Sequence, residues 1–209
     1  MKEDKITIKI GQQSLLSLKK AGYYLCLAGR PKGEEFTVIW YATDKYQVNN
    51  QIELKEEYEM GASNGVTLRE EVKIDFSHTP IQIGEQCTID SYGILSQSIT
   101  GDTPDAMVLN NQYGLLHPLL MRSGVGIQGE AFCNPVYVSH NEILPGIMEL
   151  FPGYEIKIWF AQSVMAGMVL PIEYKKHLRA ARSNEIIIDF QKRNSPELYF
   201  ENYIWKITK

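Results

Sequence analysis

The chain has 209 residues, 44% hydrophobic and 22% charged, with a net charge of −4. That length accommodates one large or two small domains with a proper core, and the composition excludes a disordered, collagen-like or low-complexity chain. The acidic balance argues against nucleic acid as the main partner, and no 18-residue apolar stretch is present to span a membrane as a helix.

The first five residues are a charged leader without the apolar core of a secretory signal, and residues 6–10 then alternate as a strand. Synthesis in a cytosol is therefore expected, with release by lysis or non-classical export left open. Residues 14–20 suit a short helix ended by Gly22. Strand signals follow at 23–27 and at 36–42, separated by the turn Arg30-Pro31-Lys32-Gly33. Residues 51–60 alternate with Ile52, Leu54, Tyr58 and Met60 on one parity, and 66–76 continue the habit. Further strands are expected at 81–83, 87–89, 106–109, 126–132 and 136–138. A helix over 142–151 would be interrupted by Pro145 and Gly146. The last expected strands are 155–161, 168–174, 185–190 and 198–207. Cys26, Cys87 and Cys133 are odd in number, widely spaced and set among apolar residues, which predicts buried free thiols.

Many short strands between Gly, Pro, Asn and Asp clusters predict an all-β protein, an antiparallel β-sandwich of jelly-roll-like or Ig-like type. An internal duplication is also suggested. Ile39-Trp40-Tyr41-Ala42 is echoed by Ile158-Trp159-Phe160-Ala161, residues 52–58 by 172–178, Ser63-Asn64 by Ser183-Asn184, and 72–76 by 186–190. The implied organisation is a first sandwich repeat at 1–80, connecting strands at 81–124 and a second repeat at 125–209. A single continuous sandwich with internal pseudo-symmetry is the alternative.

The matched segments differ in two respects. Ile156, Ile158 and Phe160 form an apolar strand face, which leaves Trp159 on the opposite face with Glu155 and Lys157. Such a tryptophan lies under a loop, between the two units, or on a recognition surface. The second difference is charge. Residues 52–60 hold Glu53, Glu56, Glu57 and Glu59 against Lys55, a net −3, whereas 172–182 hold Lys175, Lys176, Arg179 and Arg182 against Glu173, a net +3. Opposite signs on matching scaffolds could join two copies head to tail, or could mark solvated strand edges.

Candidate chemistry is sparse. Gly124-Val125-Gly126-Ile127-Gln128-Gly129 fits a dinucleotide-binding glycine pattern, but Pro135 leaves no room for the helix that such a site needs. Glycines serving a bulge or a close backbone approach are expected instead. His78, His117, His140 and His177 have no metal-ligand spacing. Glu70, Glu71 and Asp75 read as a solvated strand face, and the acids Asp90, Asp102 and Asp105 as turn residues. No metal or cofactor is expected. The sequence thus predicts a non-enzymatic interaction or self-assembling protein, with Trp159, Lys157, the four acids and the four bases as its interaction surface. A lectin-like or toxin-like protein directed at glycans or membranes is the alternative, because its amphipathic strands could line a pore and its tyrosines could stack on sugars.

Overall fold

In β1 (Asp4–Ile10) burial alternates residue by residue, so Ile6, Ile8 and Ile10 face the interior. Gly11 then opens α1 (Gln12–Lys20), whose last turn carries Lys19 and Lys20 beside its free carbonyls. Gly22, at φ +69°, donates its N–H to the Lys19 carbonyl and stops the helix. The computed structural model describes residues 4–171, 185–192 and 195–208.

The described residues form three sheets. The seven-stranded sheet runs β10 (Ala131–Val138), β9 (His117–Val125), β4 (Asn49–Ser63), β1, β14 (Glu197–Glu201) and β15 (Ile204–Ile207), with β5 (Thr79–Ile81) also paired to β4. A four-stranded sheet runs β13 (Ile186–Asp189), β12 (Glu155–Ala161), β2 (Tyr24–Gly29) and β3 (Tyr41–Thr43). The third runs β11 (Gly146–Leu150), β8 (Met107–Asn111), β6 (Glu85–Ile89) and β7 (Ile99–Thr100).

The main core joins the inner residues of all three sheets. Ile6, Ile8, Ile52 and Leu198 from the first meet Leu25, Leu27, Ile158 and Phe160 from the second, and Cys87, Ile89 and Leu109 from the third. Each such aliphatic side chain contributes about 1.5–3 kcal/mol on full burial. Two smaller clusters cover outer faces. One roofs Trp159 with Leu170, Met168 and Val164, and the other packs Val72 and Val169 on Leu119, Met121 and Val138.

The all-β, sandwich-like expectation holds, although the sheets are mixed, since β1 pairs parallel with β14 and β6 parallel with β8. The boundaries at 80 and 124 do not separate sheets. β2 pairs with β12, and β4 lies between β1 and β9, so all three stretches share common sheets. The duplicated segments also occupy unlike places. Trp40 belongs to the main core and Trp159 to the outer cluster, while 186–189 form a strand and 72–75 form none.

Residues 66–76, expected as a strand, make one bridge, from Glu71 to Met168; Val66, Val72 and Phe76 anchor them as a covering loop, while Leu68 and Ile74 are exposed. Residues 142–151 hold β11 instead of an interrupted helix, because 146–150 find a partner in β8. The expected strand over 198–207 is a tight hairpin, with Asn202 and Tyr203 at φ 51° and 62°, the left-handed pair of a type I′ turn.

Candidate functional site

The acidic face centres on a break in β4. Its register with β9 shifts between Leu54 and Tyr58, which leaves residues 55–57 as an outward bulge. Arg122 fills the space beneath. It is buried, its Nε donates to the Lys55 carbonyl at 2.8 Å, and its guanidinium lies 5.5 Å from the Tyr58 ring and 5.8 Å from the Trp40 ring. The bulge leaves Glu56 and Glu57 exposed. Beyond it, β5 pairs Tyr58 with Ile81 and Glu59 with Pro80, and so carries the 82–85 turn alongside. Glu85 is held there by the Gln82 N–H at 2.8 Å and the Ser98 hydroxyl at 2.9 Å.

The result is an open groove of about 630 Å³. Tyr58, Pro80, Ile81 and Ile83 give it apolar walls, and Glu56, Glu57, Glu59 and Glu85 surround them. Burial raises the Tyr58 hydroxyl pKa, against the opposing pull of Arg122. Glu59 pairs with Nδ1 of His78. Burial also raises the Cys133 thiol; Ser123 opposes that shift and the Glu59 carboxylate adds to it. Cys133 is therefore held as a neutral thiol, the wrong state for a nucleophile.

Of the ten residues expected at an interaction surface, three line this groove: Glu56, Glu57 and Glu59. Glu53 does not, because its carboxylate is 2.9 Å from Lys5 on the neighbouring strand. Trp159 is fully buried, which removes it as a stacking platform; of the sequence alternatives, the roofing loop is the one found. Its charged neighbours are spent locally. Lys157 lies 3.6 Å from Glu185 and over the Phe36 ring at 4.6 Å, and Glu155 accepts two bonds from Arg30. Lys175, Lys176, Arg179 and Arg182 lie outside the described residues.

Glu85 and Arg122 were not legible as groove residues. Glu85 reaches the site only through β4–β5 pairing, and Arg122 stands in an apolar strand context with nothing local to mark it.

The remaining candidates resolve into structural roles. The glycine pattern is the β9–β10 hairpin, where a side chain at Gly124 would come within 2.6 Å of Phe132 and one at Gly126 within 2.0 Å of Glu130. Asp75 accepts from the Asn64 N–H at 2.7 Å and so ties its loop to the end of β4, and Asp90 accepts from the Tyr92 and Ile94 N–H groups at 2.9 Å as a turn-closing carboxylate. His117 and His140 bond the carbonyls of Ser139 and Leu170 at 2.9 Å each. Among the described residues no three His, Cys, Asp or Glu side chains form a metal-binding group, and no helix is long and apolar enough to cross a membrane. The free cysteines Cys26 and Cys87 are buried, and Cys133 half-buried, close to expectation.

The chain matches no protein-family model, no curated protein and no solved structure.

Proposed function

We propose that the protein is a non-enzymatic, self-associating interaction protein whose acidic groove receives a cationic segment of another copy. The observation that carries this reading is the gathering of Glu56, Glu57, Glu59 and Glu85 from two distant stretches around one apolar-walled groove. The complementary charge is present in the same chain, where residues 172–182 carry Lys175, Lys176, Arg179 and Arg182 against one acid. A contact between different surfaces of identical chains is heterologous, so it closes into a ring or propagates. The apolar walls would provide area, and the carboxylates orientation and attraction at a distance.

Exposed charges about 4 Å apart attract by only about 1 kcal/mol in water, so several must act together. The assembly is therefore expected to be salt-sensitive, because the screening length falls from about 10 Å at 0.1 M to about 3 Å at 1 M. Light scattering after size exclusion tests this. Oligomers are expected at low salt and monomers at high salt. The triple change Glu56→Lys, Glu57→Lys, Glu59→Lys should give monomers throughout. Combining it with Lys175→Glu, Lys176→Glu and Arg179→Glu should restore assembly. A wild-type monomer at every salt concentration would sink the proposal, as would oligomers indifferent to the triple change.

A further inference from the structure

A second cleft, lined by neither the acidic groove nor the cationic run, lies where three turns meet at one end of the β13–β12–β2–β3 sheet. The turns are the one after β2, the one before β12 and the one after β13. The cleft holds about 210 Å³, the scale of one hexose ring. Its walls are preformed. The Lys32 N–H donates to the Phe151 carbonyl at 3.0 Å, and the Phe190 N–H to the Tyr154 carbonyl at 2.9 Å. Gly153 sits so close that a side chain there would come within 1.6 Å of the Arg30 carbonyl oxygen. Pro31 and Pro152 stiffen both sides.

The polar groups of the cleft divide into those already used and those free to bind. Arg30 donates through Nε and a terminal nitrogen to Oε2 of Glu155, donates through its other terminal nitrogen to the Glu34 carbonyl at 3.0 Å, and lies over the Phe36 ring at 4.7 Å. Asp189 is taken by Lys192 at 2.8 Å and by the Gln191 N–H at 3.0 Å. The Tyr154 ring turns inward onto the main core, so among the described residues three groups of the lining are left without a hydrogen bond: Oε1 of Glu155, the Gln191 amide and the Lys32 ammonium. They comprise an acceptor, a group that both donates and accepts, and a cation.

We propose that this cleft binds a single uronic acid unit, a hexose-sized polyol carrying one carboxylate. Sugar hydroxyls both donate and accept, so they match the mixed set of Glu155 Oε1 and the Gln191 amide better than an all-anionic or all-cationic ligand would. A C–H face of the ring would pack on Pro152, the half-buried proline of the lining. With Arg30 and Lys192 neutralised by their partners, Lys32 is the uncompensated charge of the lining, and it selects the carboxylate. Rigid walls lower the ordering cost of binding so small a ligand.

Saturation-transfer NMR titrations with sodium glucuronate, glucose and sodium acetate test the assignment. Glucuronate is expected to bind saturably in the millimolar range, about tenfold more tightly than glucose. Lys32→Gln should erase that difference, and Gln191→Ala should weaken both sugars; both positions are exposed, so neither change threatens folding. Absence of saturable binding up to about 50 mM, some tenfold above a millimolar dissociation constant, overturns the proposal. So does binding that neither substitution alters, or glucose binding as tight as that of glucuronate. Acetate competing on equal terms would reduce the cleft to an anion spot and overturn the saccharide assignment. None of these outcomes depends on oligomeric state, so the self-association proposal stands or falls separately.

Discussion

Trp40 and Trp159 stand in nearly the same sequence, Ile-Trp-aromatic-Ala, and both are fully buried, yet different neighbours bury them. Trp40 is in the main core. Its ring lies 5.0 Å from Phe132, its Nε1 donates to the Arg122 carbonyl at 2.9 Å, and its own carbonyl accepts from Asn134 at 3.0 Å. Trp159 lies on the outer face of β12 beneath the loop that carries Met168 and Leu170, and its Nε1 has no partner among the described residues. Trp40 therefore ties two sheets together through polar bonds as well as area, whereas Trp159 holds down a loop by area alone. A shared local pattern buried both residues, Trp159 within β12 and Trp40 in the bend just ahead of β3. Which layer covers each was settled by residues about 80 positions away in one case and about 10 in the other.

The largest expected effect tests the shared part of the comparison. Trp40→Ala and Trp159→Ala should each cost about 3–5 kcal/mol in urea unfolding, because each empties a fully packed space. A cost below 1 kcal/mol at position 159 would mean that the roof over it is loose.

The alkaline limb of stability should belong to the Trp40 side. Tyr41 stacks on Phe132 at 4.8 Å and donates to Glu130 at 2.8 Å. Burial, reinforced by Glu130 and opposed by the Ile127 N–H, pushes its hydroxyl up to about 12. A raised acid pKa stabilises the fold fully below the unfolded value near 10, and that contribution is lost as pH rises through about 12. Tyr41→Phe should flatten the fall in unfolding free energy across that window by on the order of 1–2 kcal/mol. An unchanged slope would contradict the assignment.

Replacing the indoles by phenyl rings should separate the two sites. Trp40→Phe strands the Arg122 carbonyl, whereas Trp159→Phe removes an N–H that has no partner among the described residues. Position 40 should be the costlier by about 1 kcal/mol in the same unfolding assay. The reverse order would break the comparison.

The smallest effect concerns the Trp159 roof at acid pH. His140 bonds the Leu170 carbonyl, and burial lowers its pKa, partly offset by that bond. A lowered base pKa gives stability that is present above the unfolded value near 6.5 and lost as pH falls through the folded value. His140→Gln should lessen the acid sensitivity of the protein, read from melting temperatures between pH 7 and 5.

Much of the fold could be read from local pattern. The alternation of β1, the apolar parity of Ile156, Ile158 and Phe160, and the stop at Gly22 all follow from side-chain period and backbone freedom within one element. The segment 66–76 misled because the same alternation serves a loop pinned at intervals, and 142–151 because β11 exists only by pairing with β8. Half of the groove was legible as an acidic strand in Glu56, Glu57 and Glu59. Its other wall, Glu85 and Ile83, arrives through a strand pairing that leaves no local trace.

The sequence by itself determined that this is a β protein with an interior of alternating aliphatics, buried thiols, and an acidic strand at 52–60. These properties depend on residues within a few positions of one another. Tertiary structure alone decided that the two tryptophan segments serve different layers, that Glu53 is spent on Lys5 while its three neighbours face a groove, and that Arg122 underlies the bulge presenting them. The physical reason is common to all three. Burial and charge pairing depend on what is brought within a few ångströms, and in a mixed sheet those neighbours come from strands far apart in the chain.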